Sequence, residues 1–333
     1  MDRKENKIKG CLIGGALGDA LGTPVEFDRW DKIKLMHGAD GVTELADNNT
    51  ISDDTQMTLF TCEGIINSDG DIIASVYQSY LNWLLTQGYH RTRYSFSLQK
   101  RIELFPEAES ELLDIPELHK HRSPRNTCIS ALLQEKMGTI EHPLNDSKGS
   151  GGIMRVAPIG FIENADSFKL GCESAAITHG HTGGYVPAGI LADIIHTLVY
   201  STHSLRSAMQ MAIDKARKAY PTAYRTLALA ERAIELTTSR RYNNFESIIE
   251  LGEGWTGDEA LAIAIYSALK YQDNVKDALL CAVNHNGDSD TTGSITGHII
   301  GAHLGYENIP KDWEEKLELR EVILDVAARM LQV

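Results

Sequence analysis

Two runs of glycines, each with a glycine at every fourth position, limit most strongly how this chain can fold. Their members are Gly10, Gly14, Gly18 and Gly22 in the first run, and Gly293, Gly297, Gly301 and Gly305 in the second. Both segments otherwise have helical periodicity, and each glycine inside a helix costs about 1 kcal/mol relative to alanine. A helix face without side chains offsets that cost when another backbone packs against it. We therefore predict tight helix packing at both runs.

Apolar residues recur at three- and four-residue spacing along most of the chain, which is typical of helices. One such stripe contains Leu261, Ile265 and Leu269, and the preceding residues 256–259, Thr-Gly-Asp-Glu, have the form of a capping box. Alternating strand-like segments are scarce, and no strand precedes a glycine-rich loop and helix. No low-complexity linker divides the 333 residues. We therefore predict an all-α chain with a single domain at residues 1–333.

The charge of the chain limits its partners. Lys and Arg number 32 and Asp and Glu number 46, so the net charge is −14. Such a chain repels phosphate backbones and anionic membranes, and the sequence contains no basic patch, so we expect neither nucleic acid nor membrane as a partner. The most apolar stretch, residues 189–200, is too short to span a bilayer. Five scattered cysteines suit a reducing compartment, and we expect a soluble, cytoplasmic protein.

Carboxylates and hydroxyls gather before two helical segments, at residues 52–55 (Ser-Asp-Asp-Thr) and 288–292 (Asp-Ser-Asp-Thr-Thr). Each group could simply cap a helix N-terminus. One cap needs one side chain, however, whereas each group offers several oxygens. Crowded carboxylates repel unless a hard divalent cation such as Mg²⁺ or Mn²⁺ lies between them, and this number of oxygens suits two ions. The candidate ligands at this point are the four carboxylates, Asp53, Asp54, Asp288 and Asp290, together with two of the hydroxyls beside them.

Three further features could contact an anionic ligand. Residues 148–155, Lys-Gly-Ser-Gly-Gly-Ile-Met-Arg, can present backbone N–H groups to an anion, although a flexible turn is an equally good interpretation. His179 and His181 are two residues apart, and we expect one to hydrogen-bond to phosphate or ribose while the other is structural. Trp255 precedes a helix, where it could stack on a base or pack in the core.

Six motifs, in their order along the chain, resemble those of the ADP-ribosylglycohydrolase family. They are residues 14–22 (Gly-Gly-Ala-Leu-Gly-Asp-Ala-Leu-Gly), 52–55, 149–160 (Gly-Ser-Gly-Gly-Ile-Met-Arg-Val-Ala-Pro-Ile-Gly), 178–181 (Thr-His-Gly-His), 253–255 (Glu-Gly-Trp) and 287–293 (Gly-Asp-Ser-Asp-Thr-Thr-Gly). The resemblance covers residues 7–306. It implies an orthogonal all-α bundle with two Mg²⁺ or Mn²⁺ ions at the base of an ADP-ribose cleft.

The resemblance also implies roles for individual residues. One ion would be held by Ser52, Asp53, Asp54 and Asp290, and the other by Asp288, Asp290 and Thr291, so that Asp290 bridges them. The diphosphate would be gripped by Gly149, Ser150, Gly151 and Gly152, helped by His179 or His181. Trp255 would lie near the adenosine. Glu26 falls where some members carry a mobile glutamate over the metals.

By this resemblance the chain would hydrolyse ADP-ribosylarginine on proteins to free ADP-ribose and arginine. Asp53 or Asp54 would stabilise positive charge on the ribose or accept a proton from water, and Glu26 would protonate the departing guanidine. The partners would be an ADP-ribosylated protein and a cognate ADP-ribosyltransferase or toxin. Residues 107–126 form a polar excursion or lid that could contact the target, or else a solvated loop.

Three other functions compete with this one. The first is hydrolysis of another linkage, to serine, a nucleobase or the acetyl group of O-acetyl-ADP-ribose. The second is binding of ADP-ribose or a toxin without catalysis. The third is a glycosyltransferase that uses residues 288–290, Asp-Ser-Asp, as its metal motif, which usually accompanies an α/β sheet.

Overall fold

The computed structural model describes residues 1–89, 110–134 and 136–333. Within these ranges the backbone forms α-helices and short 3₁₀ helices and contains no β-strand. A lone antiparallel bridge joins Gly149 to Thr256. The all-α prediction is confirmed, and the absence of a sheet from the described ranges removes the basis for the glycosyltransferase alternative.

The bounds of the helices follow the periodic segments of the sequence. The α-helices are α1 (Arg3–Gly22), α2 (Trp30–His37), α3 (Asp53–Ile66), α4 (Ile72–Thr86), α5 (Asn126–Leu132), α6 (Ser167–Ala176), α7 (Thr182–Tyr200), α8 (Leu205–Ala219), α9 (Tyr224–Leu236), α10 (Asn244–Leu251), α11 (Gly257–Lys270), α12 (Val275–Val283), α13 (Ser289–Leu304), α14 (Lys311–Glu314) and α15 (Arg320–Arg329). The 3₁₀ helices are Thr23–Val25, Glu111–Asp114, Pro116–His119, Ser150–Gly152, Ala157–Phe161, Tyr306–Asn308 and Met330–Gln332.

The glycine runs bring α1 and α13 together in opposite directions. A methyl group on Gly14 would collide with the carbonyl oxygen of Gly297, and one on Gly297 would collide with that of Gly14. The same relationship holds between Gly18 and Gly293, which confirms the predicted close approach. The last glycine of the second run, Gly305, lies outside the helix, because it ends α13 with a φ of 87°.

This register determines where the ends of the two helices lie. Gly22, the last residue of α1, packs against the backbone of Ser289, the first residue of α13. The chain that leaves α1 therefore passes beside the residues that begin α13. Both segments carry predicted site residues, Glu26 on one side and residues 288–291 on the other.

The capping box predicted at residues 256–259 does not form. α11 begins after Thr256 as expected, but the Thr256 side chain does not cap it and instead donates to the Asp258 carboxylate at 2.5 Å. Arg225 pairs with both Asp258 and Glu259, at 2.5 Å each. The Glu259 carboxylate is therefore engaged by a long-range ion pair rather than by the N-cap backbone.

The segment predicted as a lid is packed where the structure describes it. Residues 107–109 lie outside the described residues, but residues 110–126 bury Leu112 and Leu118 in the core. Arg122 pairs with Glu318 at 2.7 Å, which ties the segment to the loop before α15. This part of the segment is therefore anchored to the rest of the fold at these residues, although most of its other residues are exposed or half-buried.

Two expectations about the rest of the chain can be compared with the structure. All five cysteines are buried with free thiols, as their wide spacing predicts. In the described ranges, none of the helices has the combined length and apolarity that crossing a membrane requires.

Candidate active site

The first acidic motif begins α3. One of its residues caps the helix, and the two residues that follow contribute carboxylates to the site. The Ser52 hydroxyl accepts the Asp54 N–H at 3.1 Å and so acts as the N-cap. Asp53 and Asp54 follow it in the first turn, and both side chains are fully buried. Ser52 therefore satisfies the helix end, which leaves the two carboxylates for another purpose.

Asp19, in the last turn of α1, positions this motif. Its carboxylate accepts the backbone N–H groups of Ser52 at 3.0 Å and Thr55 at 3.1 Å, and the Thr55 hydroxyl at 2.5 Å. Burial and the nearby Asp290 raise the pKa of Asp19 to about 6. Sequence reasoning did not assign Asp19 a role, although a carboxylate between the glycines of a buried helix was the available signal.

The second acidic motif begins α13. Asp288 stands at the N-cap position but its side chain makes no capping bond, and its Oδ2 accepts the Ser150 hydroxyl at 2.6 Å. Asp290 Oδ1 accepts the Thr291 N–H at 2.8 Å. The Thr291 hydroxyl donates to Asp54 Oδ2 at 3.4 Å, so the two motifs meet.

Glu26 joins the second motif because of the helix register described above. Oxygens of Glu26, Asp288 and Asp290 all lie within 4.8 Å of one another. The next residue, Phe27, has a left-handed φ of 70°, and its N–H donates to the carbonyl of Gly287 at 3.4 Å. This turn directs the Glu26 side chain toward the aspartates, where the side chain is 3% exposed.

Arg125 places its guanidinium inside the acidic cluster, a contact that sequence reasoning missed. Nη1 donates to Glu26 at 2.8 Å. Nη2 donates to Asp288 at 2.5 Å, to Asp290 at 3.2 Å and to the Thr291 hydroxyl at 2.8 Å. An isolated arginine in an irregular segment gives no periodic or motif signal, so its partners become visible only in the fold.

Burial and mutual repulsion disfavour the charged forms of these acids. Burial raises the pKa of Asp53 to about 7 and that of Asp288 to about 8, while the Arg125 guanidinium opposes both shifts. Burial, with repulsion from Asp290, raises the pKa of Glu26 to about 9 and holds that of Asp54 well above its usual range. The positive charge of Arg125 is therefore too small to keep all the carboxyl groups of the cluster ionised.

The donor set fits a hard divalent cation. Asp53 Oδ1, Asp54 Oδ1 and Asp290 Oδ2 are buried and have no hydrogen-bond partner in the described part of the chain. Such unpaired carboxylate oxygens are rare in protein interiors and call for a ligand. The surrounding donors are also oxygens, which Mg²⁺ and Mn²⁺ prefer.

The glycine segment lies beside the acidic cluster and is largely buried. Ser150, Gly151 and Gly152 form a buried 3₁₀ turn, and the Ser150 hydroxyl reaches Asp288 as described above. Two of its N–H groups are already engaged, since Gly149 donates to the Ser147 hydroxyl and Ser150 to the carbonyl of Trp255. The N–H groups of Gly149 and Ser150 are therefore already used within the protein.

The two histidines have different surroundings. His181 caps α7, because its Nδ1 accepts the Gly183 N–H at 2.9 Å. His179 is buried beside the glycine turn, and its Nδ1 hydrogen-bonds to Thr178 at 2.8 Å. Burial and two nearby arginines lower the pKa of His179 to about 3, so its ring is neutral. His181 is therefore the N-cap of α7, and contact of either histidine with a phosphate or ribose stays a prediction.

Trp255 is half-buried and is paired with an exposed ring. It stacks on Phe27, with ring centroids 5.3 Å apart and planes 20° from parallel. Phe27 is 65% exposed, so the pair lies at the surface next to Glu26. The interpretation of Trp255 as a core residue is therefore wrong.

Comparisons with known proteins agree with the geometry. The model of the family described as ADP-ribosylglycohydrolase matches residues 1–333. ADP-ribosylhydrolase ARH3 of Bos taurus is 24% identical, over 99% of this chain and 93% of its own length. ADP-ribosylarginine hydrolase Tri1 of Serratia proteamaculans is 24% identical, over 98% of this chain and 79% of its own. ADP-ribosyl-[dinitrogen reductase] glycohydrolase of Rhodospirillum rubrum is 24% identical, over 95% and 91%.

The fold has a solved counterpart. A chain of an ADP-ribosylglycohydrolase-related protein complex superposes with a TM-score of 0.59 at 21% identity, covering 100% of this chain and 99% of its own. At that identity the superposition shows a shared fold. The family match over the whole sequence goes further, and this chain belongs to the ADP-ribosylglycohydrolase family of hydrolases.

Proposed function

We propose that this hydrolase removes ADP-ribose from modified arginine side chains of proteins and that it requires two Mg²⁺ or Mn²⁺ ions. The observation that carries the proposal is the convergence of two helix N-termini on a buried cluster with three unpaired carboxylate oxygens. Neutral polar residues would be sufficient to cap the two helices. Buried carboxylates without cations, by contrast, destabilise the folded protein. The partner would be the ADP-ribosylated protein, modified by a cognate ADP-ribosyltransferase or toxin.

The proposed ligands come from both acidic motifs. Ser52, Asp53, Asp54 and Asp290 would hold one ion, and Asp288, Asp290 and Thr291 would hold the other. Asp19 would support the first group by holding Ser52 and Thr55 in place. When bound, such ions supply Lewis acidity and positive charge to a site that otherwise repels an anionic substrate.

The ligand would extend from the acidic cluster across the glycine turn. Gly151 and Gly152 would donate N–H groups to the diphosphate, with Gly149 and Ser150 shaping the turn. His179 would support this turn from within, and His181, whose N–H donates to the carbonyl of Ser147 just before the turn, would lie beside it. Trp255, with its ring at the surface, would stack on the adenine.

The reaction would break the bond between the anomeric carbon of ribose and a guanidino nitrogen, while a water oxygen bonds to that carbon. Asp53 or Asp54 would stabilise positive charge on the ribose or accept the proton of the water. Glu26 would return a proton to the departing nitrogen, because its carboxyl lies where it already contacts the Arg125 guanidinium at 2.8 Å.

Two observations favour arginine as the linkage. The Serratia proteamaculans relative is named as an ADP-ribosylarginine hydrolase. In addition, the carboxyl group of Glu26, which is not a proposed metal ligand, already pairs with the guanidinium of Arg125, and such charge-assisted pairs are strong. A serine, nucleobase or acetyl linkage has no guanidinium to pair with Glu26.

The linkage can be tested by competition between substrates. The protein, with saturating Mg²⁺, is given an ADP-ribosylarginine protein and an ADP-ribosylserine peptide in the same reaction, and residual modification of each is measured by mass spectrometry. Preferential loss from arginine supports the proposal. Preferential loss from serine would refute arginine specificity, and loss from neither would favour binding of ADP-ribose without catalysis.

A further inference from the structure

We infer that Arg125 is an internal counter-cation that competes with divalent metal ions for the acidic cluster and leaves the cluster when metal binds. This inference rests on the proposed metal binding. It concerns a residue that neither acidic motif contains and that the reaction proposed above does not use.

The guanidinium of Arg125 is surrounded by oxygen atoms, as a bound metal ion would be. Its side chain reaches three carboxylates and a hydroxyl from α13 and from the turn after α1, at the distances given above. Asp54 Oδ2 lies 4.0 Å from Nη2. Asp54, Asp288, Asp290 and Thr291 are also proposed metal ligands, so one guanidinium group faces most of the donors that the ions would use.

The two kinds of cation exclude each other at this position. Mg²⁺ binds oxygens at about 2.0–2.1 Å and requires near-octahedral geometry. Nη2 of Arg125 already lies against Oδ1 of both Asp288 and Asp290, in the space that an ion held by these two residues would need. A guanidinium and a divalent ion sharing Asp288 and Asp290 would also repel each other across a few ångströms. Metal loading therefore requires the side chain to move.

Arg125 is placed so that its side chain can move while its backbone stays. Its N–H donates to Asp53 Oδ2 at 3.0 Å, and α5 begins at the next residue, so the main chain is fixed. The side chain is 14% exposed to solvent, and its Nε has no hydrogen-bond partner in the described residues. All its ion pairs with described residues are made by the two terminal nitrogens, which a rotation of the side chain releases together.

Competition lowers the apparent metal affinity by the fraction of molecules in which Arg125 is out of the cluster. Removing the guanidinium should therefore tighten metal binding, by about tenfold or more if the side chain is inside in nine molecules of ten. If Arg125 merely supported the structure of the site, its removal would weaken metal binding instead.

The test is a calorimetric titration of Mn²⁺ into EDTA-stripped protein. Wild type is compared with Arg125→Met and with Arg122→Met, a control in the same segment that loses a buried arginine paired with Glu318 outside the cluster. We expect tighter binding for Arg125→Met and unchanged binding for Arg122→Met. Equal or weaker binding by Arg125→Met overturns the inference and leaves the proposed function standing. No Mn²⁺ binding by any of the three overturns both.

A second measurement on the wild-type protein applies even if Arg125→Met does not fold. Phenylglyoxal modifies accessible guanidinium groups, and peptide mass spectrometry gives the rate at Arg125 with EDTA and with Mn²⁺. We expect modification to be faster with Mn²⁺, because the side chain has left the cluster, while the rate at Arg122 stays constant. An equal or slower rate at Arg125 with Mn²⁺, in protein shown to bind the ion, overturns the inference.

Discussion

Gly14 and Gly297 lie back to back, each filling the space that a side chain on the other helix would need. This contact fixes the register of α1 against α13, and the register brings Glu26 to the aspartates that begin α13. Close packing between glycines thus determines the geometry of a charged site that lies some two helical turns away along each helix.

Substitution of Gly14 by alanine should destabilise the protein. The gain in helix propensity is about 1 kcal/mol, but overpacking costs about 1–3 kcal/mol or more, and here the obstructing atom is a backbone oxygen that cannot rotate away. We expect a net loss in the free energy of unfolding, measured by urea denaturation. Gly183→Ala is a control, because its nearest obstacle is the His181 side chain at 3.2 Å, and it should change stability little. Equal effects at both positions would contradict the register argument.

Removal of the Asp19 carboxylate should disturb the start of α3. Asp19→Ala leaves the buried N–H groups of Ser52 and Thr55 without their acceptor, which costs about 1–3 kcal/mol for each. We expect a lower free energy of unfolding together with weaker Mn²⁺ binding, because Ser52 and the aspartates after it lose their support. Asp19→Asn retains one oxygen as an acceptor and should restore much of the stability. If Asp19→Ala binds Mn²⁺ as tightly as wild type, Asp19 does not position the site.

The metal-free protein should lose stability as the pH rises from about 7 to about 8.5. In this window the folded protein retains protons on Glu26 and Asp288, whose pKa values are raised to about 9 and about 8. The unfolded chain has already lost these protons near pH 4. Since the folded state binds more protons, the free energy of unfolding falls as the pH increases.

Urea denaturation in EDTA at several pH values measures this slope. Glu26→Gln should make the slope shallower, because the variant has one proton fewer to lose relative to the unfolded chain. A stability that rises with pH across the window would mean that these carboxyls are ionised in the folded metal-free protein.

Substitution of Trp255 should affect substrate binding more than catalysis. Stacking of a base on an aromatic ring contributes about 1–3 kcal/mol, so Trp255→Ala should raise KM on the order of tenfold while kcat changes little. Trp30→Ala is a matched control, because Trp30 forms a comparable stack with Phe245 away from the glycine turn. A fall in kcat at constant KM would place Trp255 at the reacting end of the ligand instead.

Local sequence patterns predicted the parts of the structure that depend on neighbouring residues. The helices follow the apolar periodicity, and the Ser52 cap follows from hydroxyl and carboxylate groups at a helix start. The glycine runs are an exception, because they predicted a contact between segments distant in sequence. The energetic cost of glycines inside a helix implied that another helix packs closely against them.

Contacts between distant segments account for what the sequence did not reveal. Arg125 and Asp19 act through residues 33 or more positions away. Arg125 belongs to no motif, and the motif at residues 14–22 that contains Asp19 does not indicate its partners. The capping box at Glu259 failed for the same reason, since the competing Arg225 lies on α9. Local rules describe which bonds a side chain can make, whereas the fold decides which partner is near enough.

The most direct test is whether divalent metal, held by Asp290, is required to release ADP-ribose from arginine. EDTA-stripped protein is incubated with an ADP-ribosylarginine protein, with and without added Mg²⁺ or Mn²⁺, alongside Asp290→Asn and the exposed-site control Asp277→Asn. Free ADP-ribose is quantified by chromatography. We predict release only with metal, retained by Asp277→Asn and reduced by at least about a hundredfold in Asp290→Asn, since even groups that merely support metal ligands contribute about 10–100-fold. Full release by stripped protein in EDTA, or by Asp290→Asn, would contradict the proposed metal centre.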